Sequence, residues 1–231
     1  MGTLKSSSPF FHDGPPAEVG NANPEVLKFL ESRVEGEILD LGGGMGAYAH
    51  ALRQKGYRVT LAEKDPRCLQ EGQKLGIPVL DMNTVTLEEL RERFDTVLLV
   101  EVLEHVSDYR GFLKAAAACG RKKILLTVPC NDDFERLFEA GLTYNHVAVT
   151  DHLHQFTSKD ISALFEEVGY SPKIHTGCHL FPHPILALLF QFMWGSLKGK
   201  LALSPLKFFL DRGWLPNLFP SRIFVEAALR K

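Results

Sequence analysis

Between Asp40 and Gly46 the chain reads Asp40-Leu41-Gly42-Gly43-Gly44-Met45-Gly46. An apolar strand run ends there in glycines and turns into a helical segment, so backbone N–H groups and a helix N-terminus can face a ligand at close range. A Cβ would block that approach. Gly42, Gly44 and Ala47 also satisfy the dinucleotide pattern G-x-G-x-x-A, so the glycines alone leave a nicotinamide nucleotide open. Asp40 weighs against it, because a carboxylate at the end of a buried strand suits a ligand ammonium or loop amides and repels a pyrophosphate. About twenty residues further on, Glu63 ends the next strand, where a carboxylate can accept both ribose hydroxyls of an adenosine.

These groups need a scaffold, and the hydropathy pattern supplies one. Asn23-Pro24 opens a helix with Val26, Phe29 and Leu30 on one face. Apolar strand runs then alternate with helical segments, the signature of a parallel sheet covered by helices on both faces. Strands are expected at Glu37-Leu41, Arg58-Glu63, Ile77-Leu80, Thr96-Val100 and Lys123-Val128, with later ones near Pro172-Gly177 and Ile223-Leu229. Helices are expected from Met45, over Pro66-Leu75, near Leu87-Arg93, and over Tyr109-Cys119 and Lys159-Val168. Val97-Leu98-Leu99-Val100 and Ile124-Leu125-Leu126 are continuous apolar runs and predict central strands. The fold class is thus α/β: a Rossmann-like, seven-stranded, mostly parallel sheet with helices on both faces and an antiparallel last strand. Residues 1–23, with Pro9, Gly14, Pro15, Pro16 and Gly20, read as an arm or lid, and residues 24–231 as one domain with an apolar insertion at 180–220.

Composition agrees with one globular core. The 231 residues are 45% hydrophobic and 23% charged, with a formal net charge of −2 and a sequence pI near 6.5. No basic excess marks a nucleic-acid partner. Cys68, Cys119, Cys130 and Cys178 form no C-x-x-C pair, which speaks against a disulfide framework or a structural zinc site. Ser6-Ser7-Ser8-Pro9 stands where a signal peptide would place an apolar core, and a cytoplasmic location is expected.

The segment Phe94-Asp95-Thr96-Val97-Leu98-Leu99-Val100-Glu101-Val102-Leu103-Glu104-His105-Val106 resembles the fourth-strand motif of the ubiquinone-biosynthesis-like class I S-adenosylmethionine-dependent methyltransferases. Asp40 to Gly46 resembles the first motif of that family. Thr127-Val128-Pro129-Cys130-Asn131, Phe156-Thr157-Ser158 and Leu164-Phe165-Glu166-Glu167-Val168-Gly169-Tyr170 match further elements in order, so the resemblance runs from about residue 36 to 177. It implies S-adenosylmethionine as cofactor, held by Asp40, Gly42, Gly43, Gly44, Gly46, Glu63, Asp81, Met82 and Val100. Asp81 and Met82 would contact the adenine, the first through its carboxylate and the second through a backbone N–H. The alternative use of Asp81 is a turn or capping residue.

Methyl transfer from a sulfonium is an in-line displacement, so the protein has to align donor and acceptor and remove a proton if the acceptor is a hydroxyl. His105, just beyond strand four, and His146, His152 and His154 beside Tyr144 are the candidate bases, with His105 and His154 preferred. Glu101, Glu104 and His105, together with His154, also resemble the divalent-metal site of small-RNA ribose methyltransferases and some ubiquinone-pathway O-methyltransferases. Two carboxylates and two imidazoles would hold a cation such as Mg2+ that binds two acceptor hydroxyls and lowers their pKa. The other use of these residues is to line the pocket without a metal. The basic surface of the small-RNA enzymes is missing, so the expected acceptor is small or lipid-linked.

Ile185 to Leu197 is apolar but too short to span a bilayer. With Lys198, Lys200, Lys207 and Trp214 it suits a membrane-surface contact over 184–214, a helical cap or a homodimer interface. Two readings outside the main one are a nicotinamide-dependent oxidoreductase and a non-catalytic methyltransferase-like binding module.

Overall fold

The computed structural model describes residues 22–132, 152–179 and 220–229. Helix α1 (Pro24–Glu31) starts as its sequence dictates: Asn23 Oδ1 accepts from the Glu25 and Val26 amides at 2.9 and 3.2 Å, and Pro24 occupies a position whose amide would be orphaned. Its buried residues are Val26, Phe29 and Leu30.

The chain then builds β1 (Glu37–Leu41), α2 (Ala47–Gln54), β2 (Arg58–Glu63), α3 (Pro66–Lys74), β3 (Val79–Asp81), β4 (Phe94–Val100), α4 (Tyr109–Cys119), β5 (Gly120–Pro129), α5 (Ser158–Glu167), β6 (Tyr170–His179) and β7 (Pro220–Leu229). The seven strands form one sheet in the order β3-β2-β1-β4-β5-β7-β6. Strands β1 to β5 pair in parallel, and β7 runs antiparallel to both β5 and β6. Central β4 and β5 are buried on both faces, as their continuous apolar runs predict, with Val97, Leu98, Leu99, Ile124, Leu125 and Leu126 fully enclosed.

Two expectations shift. The helix anticipated near Leu87-Arg93 is a single 3-10 turn, Glu88–Leu90, because only Leu90 of that turn reaches the core while the three charged residues after it stay in solvent. Strand β3 begins at Val79 rather than Ile77, since the β2–β3 ladder starts where Leu61 pairs with Val79. Residues 1–21 of the expected arm, the loop holding Tyr144 and His146, and residues 180–219 of the expected insertion lie outside the described residues. Among the described residues no helix is long and apolar enough to cross a membrane.

Candidate functional site

The strand order reverses between β1 and β4, and a crevice opens at the carboxyl ends of the strands on either side of such a switch. The glycine loop lies there. Gly42 donates to the Ala62 carbonyl at 2.8 Å, and Gly46, at φ 81°, caps α2. Gly43 rests directly on Asp40, so a Cβ at this position would lie 2.5 Å from Asp40 Oδ2 and 2.7 Å from Leu61 Cδ1. Gly44, by contrast, faces open space at φ 56°, which makes it the part of the loop presented to a ligand. Gly43→Ala is therefore expected to destabilise the fold by about 1–3 kcal/mol through overpacking, read as a lower melting temperature.

Asp40 is fully buried, and among the described residues neither carboxylate oxygen accepts a well-formed hydrogen bond, although the Ala49 amide lies nearby. Burial first, and the charge of Glu63 second, push its pKa up to about 7; the Ala49 amide offsets only part of this. Glu63 sits on the other side of the loop. Its Oε2 accepts from the Gly44 amide at 3.0 Å and its Oε1 from the Lys64 amide at 2.6 Å. Two carboxylates thus flank the loop, an arrangement hostile to a pyrophosphate and suited to a cationic ligand with ribose hydroxyls.

Asp81 and the Met82 amide both have partners within the chain. The Met82 amide donates to the Glu63 carbonyl at 2.9 Å, closing the β2–β3 ladder, so it is already engaged within the sheet. Asp81 Oδ1 accepts from both the amide and the side-chain nitrogen of Asn83, at 2.9 and 2.8 Å, which is the turn-forming use of an aspartate. Val100 is buried at the end of β4, and Val102 lies against Gly42, 3.0 Å from where a Cβ would stand.

Beyond β4 the 3-10 turn Leu103–His105 carries the acceptor-side candidates. Glu104 is 1% exposed, with Oε1 3.9 Å from His105 Nε2. The segment 152–156 docks on this turn: the amides of Leu153 and His154 donate to the Glu104 carbonyl at 2.8 and 3.2 Å, and Phe156 bridges to Cys130 beside β5. That register puts the ring of His152, rather than His154, 4.9 Å from His105. Ligand atoms of Glu104, His105 and His152 all lie within 4.8 Å of one another. His154 turns elsewhere, with Nε2 3.2 Å from the Ser107 carbonyl and its ring 4.6 Å from Tyr109. Glu101 is likewise apart, held by Arg222 and Thr127. Of the four residues expected to bind a cation, the fold groups two, Glu104 and His105, and adds His152. Both His152 and Arg222 depend on long-range register, which local spacing does not encode.

A methyltransferase-domain family profile matches residues 19–173. Among curated relatives, the ubiquinone biosynthesis O-methyltransferase of Methylocella silvestris is 34% identical over 136 residues, covering 47% of this chain and 53% of that protein. The protein of the same name from Idiomarina loihiensis is 30% identical over 117 residues, covering 46% and 48%. The chain thus spans about half the length of these relatives. In the same fold are a possible histamine N-methyltransferase from Thermotoga maritima (TM-score 0.59, 16% identity, 88% of this chain and 87% of that one) and the magnesium protoporphyrin IX methyltransferase of Synechocystis with bound SAH, the demethylated cofactor S-adenosylhomocysteine (0.56, 17%, 89% and 81%). With the glycine loop, its two flanking carboxylates and the profile match in agreement, the chain belongs to the methyltransferase-domain family and has the fold of S-adenosylmethionine-dependent methyltransferases.

Proposed function

We propose that the protein transfers a methyl group from S-adenosylmethionine to a hydroxyl oxygen of a small or lipid-linked acceptor. The observation that carries this reading is the cluster of Glu104, His105 and His152 at the end of β4, next to the strand that feeds the cofactor loop. The relatives from Methylocella silvestris and Idiomarina loihiensis, both ubiquinone biosynthesis O-methyltransferases, support it.

Asp40 would receive the cofactor's ammonium, Glu63 its ribose hydroxyls, and Asp81 its adenine amine, with Val100 against the apolar part of the ligand. Gly42, Gly43, Gly44 and Gly46 let the backbone approach. The acceptor hydroxyl would lie opposite the sulfonium, losing its proton to His105 as oxygen attacks the methyl carbon and the carbon–sulfur bond breaks, leaving S-adenosylhomocysteine. The buried Glu104 carboxylate, 3.9 Å from His105 Nε2, would favour the protonated imidazolium that forms when His105 takes the proton.

A divalent cation fits the same three side chains. One carboxylate and two imidazoles within 4.8 Å suit manganese or zinc better than magnesium, which favours an all-oxygen shell. When bound, such an ion would lower the pKa of acceptor hydroxyls, favouring a vicinal diol. The apolar sequence at 184–214 would serve an apolar acceptor or a membrane-surface contact, and the setting is cytoplasmic or membrane-peripheral.

Isothermal titration calorimetry with S-adenosylhomocysteine and with NAD, followed by labelled-methyl transfer to a catechol and to a simple primary amine, tests the reading. Binding of the first ligand only, with label entering the catechol, is the expected result. Label entering only the amine would sink the O-methylation claim.

A further inference from the structure

Arg222 lies on β7, where the antiparallel register sets it against Pro129 at the carboxyl end of β5. Its guanidinium reaches Glu101 in a two-pronged pair, Nε to Oε1 and Nη2 to Oε2, each at 3.1 Å. Thr127 Oγ1 adds a third bond to Oε1 at 2.8 Å. The two charged side chains are only 20% and 25% exposed, which shields the pair from solvent and salt. The Glu101 backbone is also pinned. It sits in the left-handed region at φ 54°, with its amide bonded to the Thr127 carbonyl at 2.9 Å. Three strands, β4, β5 and β7, therefore fix where this carboxylate points.

We propose that Arg222 is the resident counter-cation of Glu101, keeping that carboxylate out of the acceptor-end cation set and restricting the set to Glu104, His105 and His152. The inference rests on the cation reading given above. Arginine carries a permanent charge, and its planar fork matches a carboxylate on both oxygens. A divalent ion recruiting Glu101 would have to break two charge-assisted hydrogen bonds and leave a guanidinium beside a dication. The first glutamate of Glu101-x-x-Glu104-His105 thus serves as the anchor of an ion pair, while the second remains with the imidazoles. Arg222 becomes a positioning residue that sets the charge and affinity of the cation site without touching the ion.

The test is a Mn2+ titration followed by electron paramagnetic resonance, on the full chain with S-adenosylhomocysteine bound. It compares the wild type with E101Q, R222Q, R222K and the E101Q/R222Q double variant, with melting temperatures as the fold control. E101Q and R222K are expected to bind Mn2+ within threefold of the wild type. R222Q, which releases Glu101, is expected to bind on the order of tenfold tighter, the scale at which neighbours of metal ligands act. In the double variant that gain should vanish. A loss of more than threefold in E101Q would show that Glu101 is a ligand, and a gain below threefold in R222Q would show that Arg222 withholds nothing; either result overturns the proposal. Should R222Q fail to fold, R222M replaces it. A wild type that binds no Mn2+ while R222Q does would uphold Arg222 as the group that withholds Glu101, but would remove the three-residue set and, with it, the cation from the proposed function. Silence in both would remove both.

Discussion

Exchanging Asp40 for Asn is expected to weaken S-adenosylhomocysteine binding on the order of 30-fold at pH 7.5, the scale of a lost hydrogen bond to a charged group, while raising the melting temperature of the ligand-free protein. Asp40 is fully buried, accepts no well-formed hydrogen bond among the described residues, and has its pKa pushed up to about 7 from 3.8. Between those two values the folded chain holds a proton that the unfolded chain has released. Stability therefore falls as pH rises from about 4 to about 7 and levels above, a penalty on the order of 4 kcal/mol when complete. Asn carries no such charge, so D40N should melt higher than wild type at pH 7.5 and near it at pH 4.5.

Cofactor binding has the opposite sign. The ligand's ammonium favours the Asp40 carboxylate, so below pH 7 binding expels a proton, and affinity should rise with pH between 5.5 and 7.5. Calorimetry in buffers of different ionisation enthalpy should count close to one proton released at pH 6 in the wild type and none in D40N. Unchanged affinity in D40N would remove Asp40 from the cofactor site.

Glu104→Gln and His105→Ala are each expected to lower methyl transfer roughly 100- to 1000-fold, the range of a lost general base, with S-adenosylhomocysteine affinity within threefold of wild type. Glu104 is 1% exposed and 3.9 Å from the His105 ring nitrogen, while the glycine loop and Glu63 lie on the other side of β4. The damage should therefore fall on turnover rather than on cofactor affinity. His152→Ala should share the defect, because its ring is 4.9 Å from His105. His154→Ala should lose less than threefold, since His154 is spent on the Ser107 carbonyl and on Tyr109. Kinetics of labelled-methyl transfer to a catechol check the whole set. Full activity in both E104Q and H105A would remove these two residues from the catalytic step, whereas a wild type that binds S-adenosylhomocysteine but transfers no label would favour a non-catalytic binding module.

Much of the cofactor end was legible along the chain because its parts are local. The loop from Asp40 to Gly46 is a contiguous strand, turn and helix start, and Glu63 lies one strand-and-helix unit on, so periodicity and glycine chemistry place them together. The apolar runs of β4 and β5 foretold central strands for the same reason. Even here, the Met82 amide is engaged by the Glu63 carbonyl, a ladder contact that a motif match does not reveal.

The acceptor end was decided by tertiary structure. His152 and His154 have the same chemistry and lie two residues apart, about 7 Å along an extended chain. The bridge between Phe156 and Cys130 selects which of them meets His105. Arg222 finds Glu101 from 121 positions away because β7 inserts antiparallel beside β5. The sequence by itself determined the sheet, the glycine loop and a carboxylate on each side of it, since those follow from hydropathy period and backbone sterics. Only the folded chain decided which histidine and which glutamate gather around His105, because that choice rests on strand register and on ion pairs whose partners have no local signature.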